Sequence, residues 1–286
     1  MAARVAPSRL TSRERARRAA RGGASRSAPA PLLVPALIAV LFLVLPLAGL
    51  LVRAPWGRLG AALSGSDATQ ALALSLWTAT VSTAVAMVIG VPLAWMLART
   101  TFPGQRLLRA LVTLPLVLPP VVGGVALLLA FGRTGLAGRY LNSWFGLTIP
   151  FTPLAVIMAE TFVAMPFLII TVEGALRSAD QGFEEAAATL GATRMTVFRR
   201  VTMPLIAPSL GAGAVLCWAR ALGEFGATIT FAGSFPGQTE TMPIAVYYAL
   251  ENDPDAAIAL SLVLLLVSVL VLVSLRDRWL RGGSPL

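Results

Sequence analysis

Six apolar runs, each long enough to cross a bilayer as a helix, constrain this chain more than any other feature. They fall at about 32–52, 71–97, 110–131, 153–172, 206–231 and 256–275. A hydrocarbon core of about 30 Å takes about 20 helical residues. In lipid the backbone must satisfy its own hydrogen bonds, so runs of this kind predict an all-α integral membrane protein with six spans. Composition agrees, with only 13% charged residues against about a quarter in a soluble domain.

The basic residues orient the runs. All 23 are arginine. They crowd into 1–31, 98–109, 173–205 and 276–286, whereas the alternate loops hold only Arg53, Arg58, Arg133 and Arg139. The positive-inside rule then places both termini and the 173–205 loop in the cytoplasm. The net charge of +10 is thereby accounted for by topology, without a nucleic-acid partner. Residues 1–30 read as a disordered Arg-rich cytoplasmic arm. The run at 31–52 is too long for a signal-peptide core and lacks a small-residue cleavage site, so it reads as a first transmembrane helix.

Several chemistries are excluded. Without lysine there is no Walker A sequence, and without histidine the commonest metal ligand and proton shuttle is missing. Cys217 is alone and lies in an apolar run, where a buried inert thiol is expected. No catalytic residue and no metal site are expected. The proline-broken "LPLVLPPVVGG" at 114–124 has no counterpart in the second half, unlike the paired broken helices of inverted-repeat transporters.

One inner loop is polar and helix-forming: "EEAAATLGATRMTVFRRVTMPL", residues 184–205. Asp180 can cap a helix starting at Gln181. Gly191 can take the left-handed conformation that ends helices. A second short helix is expected from Thr193 to Thr202, stopped by Pro204. Leu190, Met195, Val197, Phe198, Val201 and Met203 give the loop an apolar side. That side suits either a partner's groove or the membrane surface.

Polar residues inside the runs are the other candidates. Arg220 and Glu224 are four apart, so on one helix they share a face and can pair. Either residue unpaired near the centre of a span costs about 2.5–3.5 kcal/mol. The pair can fix helix register, or Arg220 can contact an anion on a pathway. Glu160 suits an interhelical hydrogen bond. Pro119 and Pro120 remove adjacent backbone donors and break the third run. Such a break is tolerated where protein or water satisfies the freed carbonyls, at a pathway or subunit seam, or as a kink in a packed bundle.

Glu185-Ala186-Ala187, then Gly191 and Val201-Thr202-Met203-Pro204, resembles the EAA loop of ABC importer permeases. Val201 and Met203 stand where that pattern prefers Ile and Leu. "LPLVLPPVVGG", "ARALGEFGATITFAG" (219–233) and "TMPIAVYYALENDPDAAIALSLVLL" (241–265) are similar to the permease subunits of molybdate importers, whose relatives carry sulfate, thiosulfate or tungstate. The resemblance covers 65–275, and it implies a type I ABC importer transmembrane domain there. It implies an ATPase-coupling loop at 180–205 carrying Glu184, Glu185, Ala186, Ala187, Gly191 and Pro204, and a short cytoplasmic tail at 276–286. It further implies a homodimer in a bacterial inner membrane, two copies of an ATPase subunit that uses ATP and Mg, and a periplasmic or extracellular molybdate-binding protein. No cofactor is expected on this chain. The alternative is an ion-coupled secondary transporter with Glu160 or Glu224 as proton carrier, or a membrane enzyme or scaffold.

Overall fold

The computed structural model describes residues 30–60 and 65–281, and it divides into two compact units at Val52 and Arg53. The arm expected over 1–30 lies outside the described residues except for Ala30. So does the end of the tail, 282–286.

The first unit contributes helix α1, Ala30–Val52, with Pro35 and Pro46 inside it. Its large apolar side chains, Leu37, Phe42 and Leu45 among them, are exposed. That is the surface a helix offers to lipid.

The second unit is helical throughout its described residues. In order it contains α2 (Ser66–Arg99), α3 (Gln105–Val117), α4 (Pro120–Phe131), α5 (Gly138–Phe145), α6 (Pro153–Ser178), α7 (Gly182–Thr189), α8 (Arg194–Val197), α9 (Met203–Leu222), α10 (Gly226–Ala232), α11 (Met242–Asn252) and α12 (Pro254–Arg281). A π-helical turn over Phe198–Thr202 joins α8 to α9.

Helix α6 is the centre of the unit and packs against α2, α9, α10, α3 and α4. It starts cleanly because Pro153 occupies the first turn and the Thr152 hydroxyl accepts the Ala155 N–H at 3.4 Å. Against it α2 presents the buried small residues Ala79, Ala86 and Ala94, which meet Leu168, Ile169, Val172 and Leu176 in one cluster. Lipid and core are equally apolar, so small residues that bring backbones close drive such packing. A second cluster joins Leu127, Val156, Ala159, Val163 and Phe231. A third joins Ala71, Met242, Ala245 and Leu260.

Among the described residues five helices are long and apolar enough to cross a membrane, or six if α3 and α4 form one bent span. Three sequence expectations need correction. The fifth span does not run 206–231. It is continuous from Arg194 to Leu222 and stops at Gly223, because the Glu224 carboxylate then accepts the Ala227 N–H at 2.8 Å and starts α10. Pro204 does not end a helix. The Met203 N–H bonds five residues back to Phe198 O, and this wide turn accommodates the missing N–H of the proline that follows. The first loop helix begins at Gly182 instead of Gln181, with the Gly182 N–H donating to Asp180 Oδ1 at 2.8 Å.

Candidate functional site

Two helix breaks meet in the second unit. The first is at Leu118–Pro119, where both residues are extended and α3 turns into α4 through 119°. Pro119 and Pro120 carry no N–H, so the α3 ladder cannot continue, and Pro120 instead opens α4 at a position where no donor is needed. The second break is Gly223–Phe225, between α9 and α10.

The breaks are pressed together by glycines. A Cβ on Gly226 would lie 2.9 Å from Pro120 Cβ and 3.1 Å from Val121 N. A Cβ on Gly124 would lie 2.7 Å from the Ala227 carbonyl oxygen and 2.7 Å from Thr230 Cβ. Helices α4 and α10 therefore touch backbone to backbone, and the irregular segments lie next to one another.

Glu224 organises the second break. Its side chain is 1% exposed. Oε1 caps α10 through Ala227. Oε2 lies 2.7 Å from Arg220 Nη1. That contact is an ion pair without good hydrogen-bond alignment, and among the described residues Oε2 has no hydrogen-bond partner. The sequence spacing suggests two residues on one helix, but Glu224 lies beyond the end of α9 and reaches back to it. Arg220 keeps 29% of its side chain exposed. The ring of Phe225, within the break, sits 5.2 Å from that of Tyr247 on α11.

Glu160 is deeper and fully engaged. At 1% exposure it accepts from Thr78 Oγ1 at 2.9 Å and from Ser82 Oγ at 2.8 Å, both on α2. It fastens α6 to α2.

The loop between α6 and α9 has two faces. Gly191 has φ +83°, a conformation that a Cβ disfavours, and it turns the chain between α7 and α8. Phe198 and Met203 pack against the helix bundle, and Phe198 meets Trp95 edge to face at 6.3 Å. Phe183, Leu190 and Met195 point outward, with Leu190 89% exposed. Met195, Thr196, Arg199 and Arg200 line a surface pocket. The apolar side expected from sequence is therefore divided between an inward anchor and an outward surface. Ala186 is exposed and Ala187 half-buried. Adjacent carboxylates also divide: Glu185 is exposed, whereas Glu184 Oε1 accepts from Arg99 Nη2 at 2.9 Å and from Thr202 Oγ1 at 3.0 Å.

A further ionic cluster escapes sequence reading. Glu173 Oε1 accepts from Arg109 Nε and Arg177 Nε, each at 3.0 Å. The Leu97 carbonyl accepts from Gln105, Arg109 and Arg177. Only Glu173 and Arg177, four apart on α6, leave a signal in sequence. Arg99, Arg109, Thr78 and Ser82 meet their partners across 64 to 85 residues. Among the described residues no group of His, Cys, Asp or Glu side chains could hold a metal ion.

Residues 90–282 match the family described as "Binding-protein-dependent transport system inner membrane component". The molybdenum transport system permease protein ModB of Mycobacterium bovis is 50% identical over 238 residues, covering 83% of this chain and 90% of that protein. The sulfate transport system permease protein CysT of Salmonella typhimurium is 36% identical, covering 85% of this chain and 89% of that protein. A chain of a bacterial ABC transporter involved in the import of the acidic polysaccharide alginate shares the fold, with TM-score 0.71, 20% identity and coverage of 89% of this chain and 95% of that one. With two thirds of its length matched and a relative at half identity, the chain belongs to the family of binding-protein-dependent transport system inner membrane components.

Proposed function

We propose that the chain is the permease subunit of an ATP-driven importer of molybdate in a bacterial inner membrane. The observation that carries the substrate is the 50% identity to a molybdenum permease, against 36% to a sulfate permease. Tetrahedral oxyanions of this kind differ little in shape and charge, so tungstate and sulfate are the competitors that matter.

In this reading the six spans include the bent pair α3–α4, and both termini are cytoplasmic, as the arginine distribution requires. Two copies of the chain face each other around a twofold axis. Each presents its loop to one of two ATPase subunits, which bind and hydrolyse ATP with Mg. A periplasmic or extracellular binding protein delivers the anion. The chain itself supplies a path and performs no chemical step.

The split faces of the loop support the docking role. Phe183, Leu190, Met195 and Glu185 are available to a partner, while Glu184, Phe198 and Met203 hold the loop to the helices. The paired breaks support a pathway position. Irregular backbone at membrane depth is stable only where protein or water completes its hydrogen bonds. Arg220 and Glu224 act as a locking pair for the second break, with the arginine partly open. The ion-coupled alternative gains nothing from Glu160, which is enclosed by two hydroxyl donors.

The test is ATP hydrolysis by the purified complex in lipid, with binding protein loaded with molybdate, tungstate or sulfate. Stimulation by the molybdate-loaded form and weaker stimulation by the sulfate-loaded form are expected. Preferential stimulation by sulfate would reassign the substrate.

A further inference from the structure

We propose that Arg99 is a positioning residue for energy coupling. It clamps the 180–205 loop to the end of α2 with one hydrogen bond in this conformation, and takes a two-pronged hold on Glu184 when the loop is displaced. The inference rests on the reading of that loop as the ATPase contact.

Arg99 is the last residue of α2. Its Nη2 donates to Glu184 Oε1 at 2.9 Å, and Thr202 Oγ1 donates to the same oxygen at 3.0 Å. One carboxylate oxygen thus gathers the end of α2, the first turn of α7 and the π-helical turn before α9. The contact is well shielded, with the Arg99 and Glu184 side chains 6% and 19% exposed. Removing either partner leaves a poorly hydrated charge.

The guanidinium is under-used. Arg99 Nε and Nη1 are buried and have no acceptor among the described residues, although a guanidinium carries five N–H donors in a planar fork. Buried unpaired donors are costly. Glu184 Oε2 has no hydrogen bond among the described residues, and it belongs to the carboxylate that Arg99 already holds through Oε1. A small shift of the loop converts the single contact into a fork on both oxygens, the stronger arrangement. The structure therefore shows a clamp with one prong engaged.

The end of α2 can pass such a shift on. Leu97 O, two residues before Arg99, is held by Gln105 at 2.8 Å and Arg177 at 3.1 Å. Glu173 binds Arg177 and Arg109 together. The loop is joined covalently to α6 at one end and, through the π-helical turn, to α9 at the other, and the Arg99 clamp adds a further route into α2 and, through Leu97 O, into α3.

Arg99→Lys separates charge from fork, because lysine keeps the cation and loses the planar donors. In the complete complex with ATPase and binding protein in lipid, Arg99→Lys is expected to retain ATPase stoichiometry and basal hydrolysis. Its stimulation by molybdate-loaded binding protein is expected to fall by about tenfold, the scale of one charge-assisted hydrogen bond. Wild-type stimulation in that variant overturns the clamp. If Arg99→Lys does not assemble, the reversed pair Arg99→Glu with Glu184→Arg decides. Recovery of assembly and stimulation relative to Arg99→Glu alone supports the proposal, and no recovery overturns it. A wild-type complex that ignores its binding protein would instead fault the importer reading, so the two failures are distinguishable.

Discussion

Arg220 Nη1 and Glu224 Oε2 are 2.7 Å apart across the end of α9, and the other oxygen of Glu224 caps α10. One carboxylate therefore ties together both sides of a helix break. Removing Arg220 alone strands a carboxylate that is 1% exposed, so Arg220→Gln is expected to lower thermal stability and uptake together. Arg220→Lys keeps part of both, since charge survives without the fork. The double variant Arg220→Gln with Glu224→Gln retains an oxygen for the Ala227 N–H and is expected to fold and transport. A folded double variant without uptake would show that the arginine charge serves the anion directly.

The backbone contact between α4 and α10 makes a second prediction. Gly124→Ala places a Cβ 2.7 Å from the Ala227 carbonyl oxygen, an atom that cannot rotate away. Overpacking of this kind costs about 1–3 kcal/mol. Gly211→Ala, in α9 with nothing within 4 Å of its Cβ, is the control and should be neutral or slightly stabilising. Melting of the detergent-solubilised protein measures both. Equal melting temperatures for the two variants would contradict the close approach.

Gly191 at φ +83° has open space around it, so its cost on substitution is backbone strain and not collision. Gly191→Ala is expected to cost about 1–2 kcal/mol locally, and Gly191→Val more, because β-branching further restricts the chain. The readout is the amount of ATPase subunit that co-purifies. It should fall in the order glycine, alanine, valine with membrane insertion unchanged, and a valine variant that assembles and transports normally would defeat the docking role.

Glu160 bears on the ion-coupled alternative. Glu160→Gln preserves an acceptor between Thr78 and Ser82, and these hydroxyls can turn to accept from the new amide. It is expected to fold and to transport. Glu160→Ala removes both of its contacts to α2, leaves the hydroxyls only their carbonyl acceptors Ser75 O at 3.4 Å and Ile157 O at 3.1 Å, and should destabilise by about 1–3 kcal/mol through the lost hydrogen bonds. A well-folded Glu160→Gln variant with no uptake would instead give the carboxylate a role in translocation.

Local signals were legible in the sequence and long-range ones were not. Adjacent prolines interrupt a ladder wherever they occur, so a bend at Pro119–Pro120 can be read without coordinates. Gly191 as a turn is equally local. The end of the fifth span is not, because residues 225–232 carry no charge and composition alone extends the run past Gly223 and Glu224. The continuation past Pro204 depends on a π-helical turn, which has no composition of its own. The Arg99–Glu184 and Thr78–Glu160 contacts join α2 to segments more than 80 residues away, and no spacing rule reaches that far. The same distance hid the difference between Glu184 and Glu185, since burial of one neighbour and exposure of the other is set by where α2 ends.

The central claim is ATP-driven passage of molybdate through a pathway this chain forms. It is tested most directly by uptake of labelled molybdate into vesicles containing the chain, the ATPase subunit and the loaded binding protein. Uptake should require internal or external ATP on the side of the ATPase, fall away when either partner is omitted, and persist in the presence of equimolar sulfate. Uptake driven by a pH gradient with the ATPase omitted, or ATP-driven uptake of sulfate in preference to molybdate, would contradict the account.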